Sequence, residues 1–139
     1  MANTVKAVFF DIGDTLGRYD PVTGTFKAFA GSAAMLAAAR TQLGMRVGVI
    51  TTLGNMNNAA GKALLHSAGL LQHIDPNGFV SERDNGGIAK PDPRIYRFAA
   101  EQVAVPVEQC LYVGENIVEV LGALSAGMQA LLKPVPPGV

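Results

Sequence analysis

Three acids, a lysine and two threonines occupy the same kind of place in this sequence, beside the end of a short apolar run or the start of a helix-like stretch. Asp11 follows Val5–Phe10 and opens Asp11-Ile12-Gly13-Asp14-Thr15. Thr51 closes Arg46–Thr51 and is followed by Thr52-Leu53-Gly54-Asn55, while Glu115 stands after Cys110–Val113 and Gly114, with Glu119 four residues on. Lys90 stands directly before Pro91, ahead of a helix-like segment. Brought to one edge, such a set suits phosphoryl transfer to a carboxylate. One acid attacks phosphorus, a divalent cation offsets the charge of two anions meeting, and lysine, hydroxyl and amide groups hold the phosphoryl oxygens. The missing part is a proton donor.

The elements around these residues place them together. Short β-rich runs (Val5–Phe10, Arg46–Thr51, Phe79–Ser81, Cys110–Val113, Gln129–Leu132) alternate with Ala/Leu-rich stretches of helical period. Near-continuous apolar runs are expected of strands covered on both faces of a parallel sheet. The helices are expected over Ala33–Leu43 with Ser32 as cap, from Met56 or Asn57 to Ala68, after Pro91 and Pro93 in a first turn, and over Ile117–Ser125 closed by Gly127. The fold class is α/β, a three-layer Rossmann-like sandwich with a central parallel sheet of about five strands. Ligands of such sheets bind outside the carboxyl ends of the strands, where the polar residues fall. Residues 1–139 read as a single domain; 17–31 read as a flap over the end of the first strand, and the proline-rich 133–139 as a mobile tail.

Composition narrows the class. Of 139 residues, 49% are hydrophobic and 16% charged, which supplies a core and argues against disorder. Eleven basic residues balance eleven acidic ones, so no global field favours nucleic acid or an anionic membrane. No apolar segment is long enough for a membrane span, and the N-terminal apolar stretch is too short for a signal peptide. With a lone cysteine, Cys110, an internal disulfide is impossible, and the expected location is cytoplasmic. His66 and His73 have no second ligand in register and carry no metal assignment.

Four stretches in order resemble the motifs of the haloacid dehalogenase (HAD) superfamily of hydrolases. Phe10-Asp11-Ile12-Gly13-Asp14-Thr15-Leu16 resembles the first, FDxDGTL, and Val49-Ile50-Thr51 with Thr52 the second. Gly87 to Tyr96, with Lys90-Pro91-Asp92-Pro93 inside it, matches GxxKPDPxIF. Val113-Gly114-Glu115 through Glu119, then Gly122-Ala123 and Ala126-Gly127-Met128, resembles VGDxxxD followed by GAxxAGM. The resemblance implies a Mg²⁺-dependent phosphatase working through an aspartyl-phosphate. In it Asp11 is the nucleophile, Thr51 and Thr52 bind the phosphoryl group, and Lys90 binds phosphate and orients Asp11. Mg²⁺ is held by Asp11, the main-chain carbonyl of Gly13 and Glu115, with Glu119 as an outer or second acidic partner. The implied partner is a phosphorylated substrate, small or macromolecular.

Two departures qualify what is implied. The superfamily's general acid/base is an Asp two positions after the nucleophile, and here that position is Gly13; successive side chains of an extended chain point in opposite directions, so Asp14 does not simply replace it. Lowered activity is expected, with aryl and acyl phosphates favoured over alkyl ones. Glu115 and Glu119 stand where the pattern has Asp, and each adds a methylene to a site in which Mg²⁺ demands ligands at about 2.0–2.1 Å. Residues 17–45 and 53–86 leave no room for a cap domain, so the chain reads as the capless type, with an open site suited to large substrates or covered by a second copy of the chain. The alternative reading is a catalytically impaired HAD-like domain that binds a phosphorylated ligand or a protein partner. Lys90 is expected to matter strongly for ligand binding and little for stability.

Overall fold

A computed structural model describes residues 4–138. In chain order its main elements are β1 (Ala7–Phe10), β2 (Gly17–Asp20), β3 (Thr25–Ala28), α1 (Ser32–Thr41), β4 (Arg46–Thr51), α2 (Asn58–Ser67), β5 (Phe79–Ser81), α3 (Pro93–Gln102), β6 (Cys110–Gly114), α4 (Ile117–Ala126) and β7 (Gln129–Leu132). Five strands form one parallel sheet in the order β5-β4-β1-β6-β7, and β2 pairs with β3 as a separate antiparallel hairpin. The chain builds outward from β1 through β4 to β5, then crosses to β6 and β7 on the other side. The order therefore reverses beside β1, which makes the carboxyl end of that strand the natural crevice.

The apolar runs explain the layering. Side chains alternate across a strand, so Ala7 and Phe9 pack with Ile95, Tyr96 and Ala123 on one face of β1, while Val8 and Phe10 pack with Leu36 and Leu65 on the other. All four residues of β1 are buried, as a central strand of a covered parallel sheet requires. Each face removes several large side chains from water, worth about 1.5–3 kcal/mol apiece.

Helix starts differ in detail from the sequence reading. Ser32 does not cap α1: Gly31 takes the N-cap position with φ 87, and the Ser32 hydroxyl instead donates to the Leu16 carbonyl at 2.8 Å. It thereby ties the helix to the turn that follows Asp11. Pro91 lies ahead of α3 rather than in its first turn, which holds Pro93 alone. Asp92 caps that helix by accepting from the Arg94 N–H at 2.9 Å. Asn57 and Asn116 cap α2 and α4 in the same way, the latter accepting from the N–H groups of Val118 and Glu119. Within the 133–139 stretch, the Lys133 N–H donates to the Gly114 carbonyl at 2.8 Å and its Nζ to the Thr15 carbonyl at 2.9 Å; Val139 lies outside the described residues.

One contact fixes the approach of α4 to the turn before α3. A Cβ built on Gly122 meets the Pro91 carbonyl oxygen far inside van der Waals distance and the Pro91 Cβ at 2.9 Å. Gly122→Ala is therefore expected to destabilise the fold by about 1–3 kcal/mol, as overpacking against backbone does, and to show as a lower urea midpoint. An unchanged midpoint would mean that α4 and the Pro91 turn separate without cost.

Candidate active site at the carboxyl edge of the sheet

Asp11 leaves the sheet one residue beyond β1, and its N–H still donates to the Val113 carbonyl at 3.0 Å, so the central ladder fixes its backbone. Lys90 reaches it from the far side of the sequence. The Lys90 Nζ donates to Asp11 Oδ1 at 2.9 Å, to Glu119 Oε1 at 2.9 Å and to the Tyr112 hydroxyl at 3.1 Å. An ammonium has three hydrogens. All three are engaged within the protein, so Lys90 acts here as the buried counter-charge that orients Asp11, and direct donation to a phosphate requires one of these bonds to be exchanged.

The Lys90 side chain is only 1% exposed. That burial corrects the expectation that it matters little for stability. Removing one partner of a buried ion pair leaves charge uncompensated, here on two carboxylates at once. Tyr112, inside the apolar run Cys110–Val113, completes the cluster by accepting from Lys90 and donating to Glu119 Oε1 at 3.3 Å. Burial and the charges of Asp11 and Glu119 push its hydroxyl far up, so it remains a donor. Tyr96 stands edge-on to Tyr112, ring centroids 5.3 Å apart, and donates to the Glu119 main-chain carbonyl.

Burial raises the Asp11 carboxyl above its ordinary value, against the charge and hydrogen bond of Lys90. Glu115 is raised by burial and then by Asp11, Asp14 and Glu119. Asp14 has φ 63 and accepts from Arg18 Nε at 3.1 Å, so the displaced acid is turned into a half-exposed ion pair on the hairpin. Fully ionised, the four carboxylates of Asp11, Asp14, Glu115 and Glu119 face the two cations Lys90 and Arg18, an excess of two negative charges. Oxygen donors with that excess suit a hard divalent cation. Among the described residues no group of three or more His, Cys, Asp or Glu side chains is gathered into a ready cage, and Glu119 is committed to Lys90 and Tyr112. The donors left for a cation are Asp11, Glu115 and main-chain oxygen.

Thr51 is buried at the end of β4, and Thr52 beyond it is exposed; both border a small cavity that also reaches Gly13. The loop after β4 is held by residues that escaped the sequence reading. Glu82 accepts from the Leu53 N–H at 2.8 Å and the Gly54 N–H at 3.1 Å, and Arg83 donates to the Met56 carbonyl at 3.1 Å. Two amides that could have faced a phosphoryl group thus serve to set the loop. The signal was present as Ser81-Glu82-Arg83-Asp84, a reciprocal capping box over a single 3₁₀ turn. Cys110 carries no chemistry: burial pushes its thiol up to about 11.

Lys90→Met is expected to cost about 3–5 kcal/mol in equilibrium unfolding, because Asp11 and Glu119 then face each other without a cation. A loss below about 1 kcal/mol, the range of an exposed pair, would place the ion cluster in solvent instead.

Comparison with known proteins places the chain in a family. A family model described as haloacid dehalogenase-like hydrolase matches residues 20–127. A phosphatase of Mycobacterium tuberculosis (strain CDC 1551 / Oshkosh) is 37% identical over 89 residues, 64% of this chain and 39% of that protein. The haloacid dehalogenase-like hydrolase domain-containing protein 3 of Danio rerio is 30% identical over 93 residues, 66% of this chain and 36% of its own length. The chain thus spans under two fifths of these curated relatives. The crystal structure of a HAD family hydrolase from Deinococcus radiodurans with bound phosphate and sodium superposes with a TM-score of 0.76 at 19% identity, covering 96% of this chain and 82% of that one. The low identity makes that likeness one of fold. With the family model matching most of its length, the chain belongs to the haloacid dehalogenase-like hydrolases.

Proposed function

We propose that this chain is a phosphohydrolase that works through an aspartyl-phosphate on Asp11, and that it is slow on esters whose leaving group needs a proton. The observation that carries the reading is the contact between Asp11 and the buried Lys90, 2.9 Å apart at the carboxyl end of the central strand. One carboxylate oxygen of Asp11 is held by Lys90, which aims the side chain; the second oxygen attacks phosphorus. The phosphorus–oxygen bond to the leaving group breaks, and the leaving group departs with the electron pair. Water then attacks the aspartyl-phosphate, releasing inorganic phosphate and restoring Asp11. Thr51 and Thr52 supply hydroxyls near the phosphoryl group.

The excess negative charge at this edge fits Mg²⁺ held by Asp11, Glu115 and the Gly13 carbonyl, with Glu119 outside the first ring of donors. When bound, the ion offsets the charge of carboxylate and phosphate meeting. A relative of this chain is called a phosphatase, which supports phosphate esters as the substrate class. The open edge also leaves room for a second copy of the chain to cover the site.

Two experiments test the reading. Phosphate release from acetyl phosphate should require both Mg²⁺ and Asp11, falling to background with EDTA and in Asp11→Asn. If Asp11→Asn releases phosphate as fast as the parent, the nucleophile is misassigned and the impaired, ligand-binding alternative gains.

Gly13 is exposed, its φ is an ordinary one, and a Cβ built there meets nothing within 4 Å, so an acid fits without strain. Gly13→Asp should raise the rate on alkyl phosphates by about 10²–10⁴-fold, the usual worth of a general acid, and the rate on aryl phosphates far less. Equal gains on both, or none, would show that residue 13 is not where the leaving oxygen lies.

A further inference from the structure

The hairpin does more than cover the strand end. Between it, the loop after β4 and α2 lies a cavity of ≈ 180 Å³, lined by Tyr19, Phe26, Leu53, Met56 and Leu64 and opening onto Gly13 and Thr51. Apart from the hydroxyls of Thr51, Thr52 and Tyr19, the side chains that line it are apolar. Engineered apolar cavities of about 150 Å³ take up benzene, so this one suits a single aromatic ring.

Its walls are set in advance. Phe26 and Leu53 are buried, and Glu82 and Arg83 grip the backbone of the loop that carries Leu53 and Met56. Gly13 itself borders the cavity, two residues from Asp11, and a Cβ built there would stand in open space. Asp14, the nearest acid in sequence, is turned onto Arg18. A leaving group at this position therefore meets mostly apolar side chains and, among the lining residues, no carboxylic acid.

Resting on the phosphohydrolase reading above, we propose that the substrate is a phosphate monoester of a phenol or similarly acidic apolar hydroxyl compound, with its ring in this cavity and its phosphoryl group at Asp11. Two separate features select that class. The apolar lining favours an aromatic group over a sugar or polyol, whose hydroxyls would lose their hydrogen bonds to water there. The missing acid favours an oxygen that leaves as phenolate: the phosphorus–oxygen bond breaks, the electron pair stays on that oxygen, and its proton comes later from water.

The test separates binding from turnover on the whole chain. Benzylphosphonate and methylphosphonate, neither of which can be hydrolysed, are titrated calorimetrically with Mg²⁺ present. Benzylphosphonate should bind about tenfold tighter or more, from burial of its ring. Met56→Gln should sharply reduce that preference while changing methylphosphonate affinity little, and Tyr19→Ser, at a half-exposed hairpin position, should reduce it should the first variant fold poorly. Equal affinity of the parent for the two phosphonates, or no binding of either, overturns the proposal. Turnover distinguishes its failure from that of the reading beneath it. A parent that hydrolyses acetyl phosphate through Asp11 but shows no ring preference remains a phosphatase and loses the aromatic site. A parent that prefers benzylphosphonate yet releases phosphate from neither phenyl phosphate nor acetyl phosphate keeps an apolar ligand site, and both the phosphatase reading and the substrate assignment fall.

Discussion

A single ammonium among oxygen atoms governs this structure. Lys90 sits almost wholly out of water, and its desolvation is tolerable only because two carboxylates and a phenol surround it. Each of those partners comes from a different element: Asp11 from the end of β1, Tyr112 from β6 and Glu119 from α4. The cluster can exist only if the sheet order and the seating of α4 are right. Gly122 permits that seating by letting α4 lie against the Pro91 turn, next in sequence to the lysine. Fold and site are thus one problem, since the same charge that orients Asp11 also penalises any arrangement that leaves it alone.

The arrangement also divides labour along the sheet edge. On the β6 side lie the charges, with Lys90, Glu119 and Glu115 around Asp11. On the β4 side lie the hydroxyls of Thr51 and Thr52 and, behind them, apolar side chains. A ligand lying along this edge would meet charged groups at one end and apolar side chains at the other. Gly13 stands at the junction, where a Cβ would meet nothing within 4 Å.

Much of this was legible in the sequence because the parallel sheet follows simple rules. Runs such as Ala7–Phe10 and Arg46–Thr51 are apolar on both faces, and the polar residues after them must collect at one edge, so Asp11, Thr51 and Glu115 were placed correctly without coordinates. What escaped was whatever depends on a partner distant in sequence. Tyr112 lies within an apolar strand, and nothing local shows that its hydroxyl meets a lysine 22 residues earlier. Ser32 satisfies every local rule for a cap, yet the carbonyl of Leu16, brought close by the hairpin, takes its hydroxyl. Glu82 and Arg83 resemble ordinary surface charges until the loop after β4 is folded against them.

The separation of 79 positions between Asp11 and Lys90 also sets an order of events during synthesis. Asp11 emerges early, at the end of the strand that becomes the centre of the sheet, while its counter-charge is still to be made. Glu119 and the Lys133 amine that grips the Thr15 carbonyl follow later still. Parallel pairing of β1 with β4 and then β6 is non-local, hence slow by comparison with helix formation. A growing chain therefore carries Asp11 as a solvated acid on an incomplete sheet, with unpaired strand edges on both sides of it. The charge that keeps this carboxylate hydrated in the nascent chain opposes its burial until the lysine is there to meet it.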